Sequence, residues 1–351
     1  MNNFGVLLQY TIFLRYSIVI GCTLWLGLWI TPAATTEPLK LSLPIDCTLR
    51  ENCWLVNLVD NELGPGRRDY LCGKNTYDTH KGIDFAIRDL HAMKKGVGVL
   101  AVAPGIVKAV RDGMADKFPD ETLRRNRNIH CGNGLIIRHS RGWETQYCHL
   151  RKGSVVVKPG TKVSRGQNLG LVGQSGMAEF PHVHLSVRHS GKIIDPFSGA
   201  PLNALENTDC DALSKSLWTK KATRALTVSM TSFFNAGFAS VEPKQQHINK
   251  GVYRLKTLPR SSAVLIFWVQ AWWVREGDIM KLKIIGPGGR ELLNSTSKIK
   301  KLQIRHMRYA GKRRRKTLWN TGEYTGIGEL IRRSEGRTFS FSVQRKIVMQ
   351  D

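Results

Sequence analysis

Pro181-His182-Val183-His184-Leu185-Ser186-Val187 alternates polar and apolar residues with a period of two. A β-strand turns successive side chains to opposite faces, so His182, His184 and Ser186 share one face while Val183, Leu185 and Val187 face a core. Gly82-Ile-Asp-Phe-Ala-Ile87 repeats the arrangement: Ile83, Phe85 and Ile87 point one way and Asp84 the other. In both runs the apolar residues account for the core and leave the polar ones free to converge.

Similar short runs punctuated by glycine extend outward from these two. Val99–Val102 and Gly105–Val110 read as strands, with a turn at Pro159-Gly160. Residues 134–139 and 143–149 read as strands joined at Ser140-Arg141-Gly142. The charged stretch 111–133 interrupts the pattern and is expected as an exposed insertion. Residues 35–65 carry few periodic runs and read as a linker followed by a loop-rich lead-in. No long helix is expected in this half. Further on, Ala263–Gln270, Met280–Ile285 and Thr338–Val343 read as strands, and Gly286-Pro287-Gly288-Gly289 as a hairpin turn. The fold class is mainly β: an antiparallel β-sheet domain over residues 47–205, then a β-sandwich of immunoglobulin-like type over 212–351, with 35–46 as linker.

Charge supports that division. The chain carries a formal +26, and residues 211–351 hold 28 basic against 9 acidic side chains, +19, which leaves +7 for residues 1–210. The C-terminal half therefore favours a polyanionic neighbour. At the other end, Arg15 precedes an apolar run, Tyr16 to Ile30, followed by Pro32-Ala33-Ala34. About 15 apolar residues is short for a membrane span, which needs roughly 20. The segment reads as a signal peptide cut near Ala33 or Ala34, with an uncleaved anchor at 16–30 as the alternative. Either way the protein is expected to be exported, to a periplasmic or extracellular location. Cys22 lies in that segment and leaves six cysteines, an even set suited to disulfides. The hairpin register brings Cys148 opposite Asn133 or Gly134 and so predicts Cys131–Cys148. Cys47–Cys53 would close a short loop and leave Cys72–Cys210, but the sequence leaves the pairing of these four open.

The basic tract Lys312-Arg-Arg-Arg-Lys316 resembles a nucleic-acid patch, but export argues against nucleic acid as a partner. Anionic envelope polymers or lipid phosphates are the expected partners. Trp268 and Trp272 share one strand face and are expected to pack in a core instead of stacking on sugar. If the first domain folds alone, a chain ending near residue 210 is then expected to retain activity on small peptides while losing attachment to whole envelope.

The chemistry rests on five ordered residues: His80 and Asp84 as H-x-x-x-D, His149 in Tyr-Cys-His-Leu, and His182 and His184 as H-x-H. Two imidazoles and a carboxylate, with water as the fourth ligand, suit a catalytic zinc. No motif surrounds His91, His130, His189, His247 or His306, which are expected in surface or structural roles. His139 is expected to be structural.

Residues 80–196 resemble the lysostaphin/LytM-type zinc metallopeptidases of the M23 family. The resemblance lies in His80-x-x-x-Asp84 with its internal Gly82, Tyr147-x-His149-Leu150, Val155-x-Val-x-Pro-Gly160, Gly166-Gln167-x-Leu169-Gly170, Val172-Gly173-x-Ser175-Gly176, His182-Val-His184 and Asp195-Pro196. It implies His80, Asp84 and His184 as zinc ligands and His149 and His182 as catalytic histidines. It also implies an endopeptidase acting on peptidoglycan peptides. A catalytically silent relative that regulates another wall hydrolase is the alternative; all five residues being present favours the enzyme.

Overall fold

A computed structural model describes residues 39–62, 64–202, 215–226 and 229–351. The targeting segment and the Cys72–Cys210 pairing lie outside the described residues. Among the described residues, no helix is long and apolar enough to cross a membrane.

The first half comprises β1 (Cys53–Asn57), β2 (Ile83–Ile87), α1 (Leu90–Lys95), β3 (Gly98–Leu100), β4 (Gly105–Arg111), α2 (Glu121–Arg125), β5 (Asn133–Arg138), β6 (Trp143–Leu150), β7 (Lys162–Val163), β8 (Asn168–Leu171), β9 (His182–His189) and β10 (Lys192–Ile194). The main sheet is antiparallel in the order β1-β2-β9-β6-β5-β4-β7, with β10 paired to β9, while β3 and β8 form a separate ribbon. Ile83, Phe85, Val183, Leu185, Ile137 and Tyr147 are all fully enclosed in its core. Burying one such side chain contributes about 1.5–3 kcal/mol, and a one-residue slip would turn the whole apolar set outward. That penalty locks β2 and β9 in a register with Ile83 opposite Leu185 and Asp84 opposite His184.

The core reaches past the expected domain bounds on both sides. Leu41 and Ile45, from the stretch read as linker, are buried in it, and so are Leu217, Trp218, Ala222 and Leu226. The Leu41 amide donates to the Leu217 carbonyl at 2.7 Å, tying the two flanks together. The lead-in also contains a strand. Cys53-Trp-Leu-Val-Asn57 is buried on both faces, which is why it reads as a continuous apolar run without alternation. The insertion is largely exposed as expected but holds the short helix α2, and its Asp112 and Asp116 carboxylates accept amides of residues 152, 153, 155 and 174.

Helix α3 (Lys220–Leu226) leads to β11 (Ser232–Ala239), α4 (Gln245–Asn249), β12 (Thr257–Pro259), β13 (Val264–Val274), β14 (Ile279–Ile285), β15 (Glu291–Lys298), β16 (Gln303–Arg313), β17 (Gly322–Ser334) and β18 (Arg337–Gln350). They form two sheets, β11-β13-β16 and β12-β18-β17-β14-β15, with only β12–β18 parallel among these pairs. Phe238, Phe267 and Val269 from the first meet Met280, Leu282, Leu330 and Ile347 from the second in one core. The two sheets thus form a sandwich. Gly326 is required there, because a Cβ would collide with the Phe267 ring. The turn at Pro287–Gly289 joins β14 to β15 as expected.

The sandwich does not stand apart from the first domain. The described residues from Leu39 to Asp351 fall in a single compact unit. Phe234, Trp272 and Trp273 pack on Trp54, Val56 and Ala86 as a distinct apolar cluster between the sheets. Trp268 and Trp272 are buried, in line with the core reading. The cluster covers β1, an edge strand that would otherwise present unpaired backbone groups.

Candidate metal centre

The register of β2 and β9 makes Asp84 and His184 direct cross-strand neighbours, and His80 arrives from the turn before β2. Three atoms converge. His184 Nδ1 lies 2.8 Å from Asp84 Oδ1, His80 Nε2 lies 3.2 Å from the same oxygen, and the two ring nitrogens are 3.1 Å apart. All three residues are buried or nearly so.

The remaining polar atoms of these side chains are already occupied. His80 Nδ1 donates to the Leu58 carbonyl at 2.6 Å. His184 Nε2 lies 3.0 Å from Ser186 Oγ, which donates its own proton to the Lys81 carbonyl at 2.8 Å and so must accept from the ring. Asp84 Oδ2 accepts from Asn57 Nδ2 at 2.7 Å. Each outer bond fixes a tautomer, and the consequence is that His80 Nε2 and His184 Nδ1 both present lone pairs inward. Two imidazole lone pairs and a carboxylate oxygen facing one another need a cation between them. The donor set therefore fits zinc, whose ligands include imidazole nitrogen and carboxylate oxygen.

Electrostatics agree with that fit. Burial by itself raises the Asp84 carboxyl, but His80, His182 and His184 outweigh it and hold the group well below the usual carboxylate range. Burial draws His184 down, with Asp84 opposing. The site thus offers an anionic carboxylate and a neutral imidazole.

His149 and His182 flank the triad. Their rings are 4.6 Å apart, and His182 Nε2 lies 3.7 Å from Asp84 Oδ1. Each bonds a backbone carbonyl through Nδ1, His149 to Ser175 at 2.9 Å and His182 to Phe180 at 2.8 Å, which leaves both Nε2 atoms free for chemistry. Burial, reinforced by His182 and His184, pushes the His149 imidazole well below its ordinary value. His149 also has a left-handed backbone, φ 67°, where the β5–β6 register slips. Such a conformation needs support from its surroundings. It comes from the His149 amide bonded to the Cys131 carbonyl at 2.8 Å and from the adjacent Cys131–Cys148 disulfide. The Cys47–Cys53 bridge is present as well.

All five expected residues therefore meet in one cluster. The other histidines lie elsewhere: His189 stacks on Trp143, and His139 bonds Pro104 and Thr145 in a structural role. Sequence reasoning missed Asn57 and the Tyr77 ring, 4.3 Å from that of His80. The apolar run ending at Asn57 was the available signal for the first. Gly82 also acquires a reason, since a Cβ there would come within 2.5 Å of His184 Nε2.

The stretch that carries this cluster, residues 78–196, matches the family model described as Peptidase family M23. Residues 78–196 belong to peptidase family M23. Among curated proteins, an uncharacterized metalloprotease of Buchnera aphidicola is 30% identical over 138 residues, 39% of this chain and 30% of that protein. The peptidoglycan DD-endopeptidase ShyA of Vibrio cholerae is 32% identical over 127 residues, 36% of this chain and 22% of that protein. The DD-carboxypeptidase/endopeptidase Mpg of Neisseria meningitidis is 30% identical over 148 residues, 42% and 29% respectively. In each case the match spans less than a third of the relative's length. The sandwich lies outside the segment matched as M23 domain.

Proposed function

We propose that the chain is an exported zinc metalloendopeptidase that hydrolyses peptide bonds in bacterial peptidoglycan. The observation that carries this reading is the convergence of His80 Nε2, Asp84 Oδ1 and His184 Nδ1, with every outer polar atom of the three side chains already bonded. A zinc ion held by these residues supplies Lewis acidity to a water and to a scissile carbonyl. The chain's own residues do the rest. His149 and His182 keep their Nε2 atoms clear of backbone partners beside the triad and can hold or pass a proton, or hydrogen-bond a developing oxyanion. Asn57 and Leu58 keep Asp84 and His80 oriented. The substrate class is suggested by relatives named as peptidoglycan endopeptidases. Export to a periplasmic or extracellular site is supported by two disulfides, which persist in oxidising compartments.

The strand order β11-β13-β16 against β12-β18-β17-β14-β15 leads us to infer an immunoglobulin-like sandwich, whose excess positive charge serves to hold anionic envelope polymers or lipid phosphates. The deciding experiment incubates the purified protein with peptidoglycan fragments and identifies new termini by mass spectrometry, with zinc content measured in parallel. New termini with bound zinc support the enzyme. Bound zinc without cleavage would instead identify a silent regulator, and absence of zinc would remove the metal assignment.

A further inference from the structure

The exposed tract Lys312–Lys316 drew attention in the sequence, yet the structure concentrates positive charge differently. Where the sandwich meets the first domain, a cavity of about 170 Å³ is lined by Arg88, Arg254, Arg345, Lys346 and Trp268 among others. Arg88 directly follows β2, the strand that carries Asp84; Arg254 lies in the loop before β12, and Arg345 and Lys346 project from β18. The site therefore exists only because both domains contribute to it.

We propose that this cavity binds a phosphate-type oxyanion. Three arginine side chains line it, Lys346 on the opposite face of β18 being paired with Glu323 at 2.8 Å, and one nearby carboxylate answers them incompletely: Asp89 is 3.8 Å from Arg254. A surplus of about two positive charges remains, which matches a phosphomonoester near neutral pH. Like-charge crowding has the same sense: burial first, then Arg88 and Arg254, draw the Arg345 guanidinium below its ordinary range. An anion among these guanidiniums would relieve that repulsion, and arginine offers planar paired donors suited to phosphate.

Size decides what kind of ligand enters. Pockets for drug-sized molecules run from about 300 Å³ upward, so 170 Å³ suits a group on the scale of phosphate. The rest of a larger ligand would remain in solvent. This inference locates the anion recognition proposed for the sandwich, and it stands or falls independently of peptidase activity.

The test is calorimetric titration of the full-length protein with inorganic phosphate at constant ionic strength. Saturable binding is expected at one site per chain. It should weaken about tenfold or more in Arg254→Gln/Arg345→Gln and measurably in Arg345→Gln alone, which disturbs less of the fold. Arg315→Gln/Lys316→Gln, on the exposed tract, should bind as the parent does. Co-sedimentation with phosphatidylcholine vesicles containing phosphatidic acid distinguishes the sources. Vesicle capture lost in the cavity variant identifies a lipid headgroup, whereas phosphate binding without capture identifies a soluble phosphate. No saturable heat, or equal affinity in parent and Arg254→Gln/Arg345→Gln, would overturn the proposal.

Discussion

Trp273 donates its indole Nε1–H to the backbone carbonyl of Val56, so the sandwich bonds directly to the strand that orients the metal ligands. The next residue, Asn57, holds Asp84, and the Leu58 carbonyl after it holds His80. Trp273 has a left-handed backbone, φ 51°, and its own carbonyl is clamped by Thr231 Oγ1 at 2.8 Å and Arg332 at 3.0 Å. Arg332 in turn is paired in bidentate fashion with buried Asp278.

This link bears on the shortened chain. A chain ending near residue 210 stays active on small peptides only if the first domain folds alone. Such a truncation would remove Leu217, Trp218 and Leu226 from the first core and expose Trp54, Val56 and Ala86. We predict that it is insoluble or unfolded. Trp273→Phe is the finer probe, since it keeps the ring packing and leaves the buried Val56 carbonyl unpaired, at about 1–3 kcal/mol. Chelator competition should show weaker zinc retention than in the parent; unchanged retention and unchanged stability would show that the bond does not support the site.

Removing ligands and removing proton carriers should have different signatures. His80→Ala or Asp84→Ala deletes a converging donor and should lose both metal and turnover. His149→Ala and His182→Ala leave the three donors in place, so zinc should remain while turnover falls by roughly 10²–10⁴-fold. Metal analysis beside peptide cleavage reads both, and full zinc in His80→Ala would contradict the ligand set.

How far the sequence was legible follows from what its pattern encodes. Alternation at 82–87 and 182–187 revealed which residues face the core, and the register built from those strands brings Asp84 opposite His184. The Cys131–Cys148 bridge was legible because a hairpin pairs near neighbours. β1 was not, because burial on both faces erases the alternation that marks a half-exposed strand. Nor were the true limits of the first core. Leu41 and Leu217 meet across 176 positions of chain, and nothing local announces such a contact. The left-handed backbone of His149 was equally invisible, since histidine carries no glycine-like signal for it.

That backbone yields a redox prediction. The Cys131–Cys148 bridge closes a loop of 17 residues beside His149, and a loop of this length contributes about 3 kcal/mol. Replacing both cysteines with alanine should lower stability by that order. It should also lower turnover more than it lowers zinc content, because it loosens a proton carrier and not a ligand. Turnover equal to the parent's would show that the surrounding hydrogen bonds alone hold His149.

Asp195 gives the chain a pH response separate from the metal. Its carboxylate is wholly buried and accepts from Asn61 Nδ2 and the Phe197 amide, both at 2.8 Å. Burial nevertheless wins and raises its pKa from 3.8 to about 6. Between these values the folded protein binds a proton that the unfolded chain has released. The resulting stabilisation is fully present below pH 3.8 and is lost as pH rises through about 6. A shift of this size corresponds to about 3 kcal/mol. Asp195→Asn removes the titration and keeps an acceptor for one of the two donors, which bond different oxygens, so the comparison rests on how stability changes with pH and not on its absolute level. Denaturant unfolding at pH 4, 5, 6 and 7 should therefore show the parent losing stability relative to Asp195→Asn across that interval. The difference should then stay constant above pH 7. Parallel curves for the two proteins over the whole range would mean that Asp195 is not protonated in the fold.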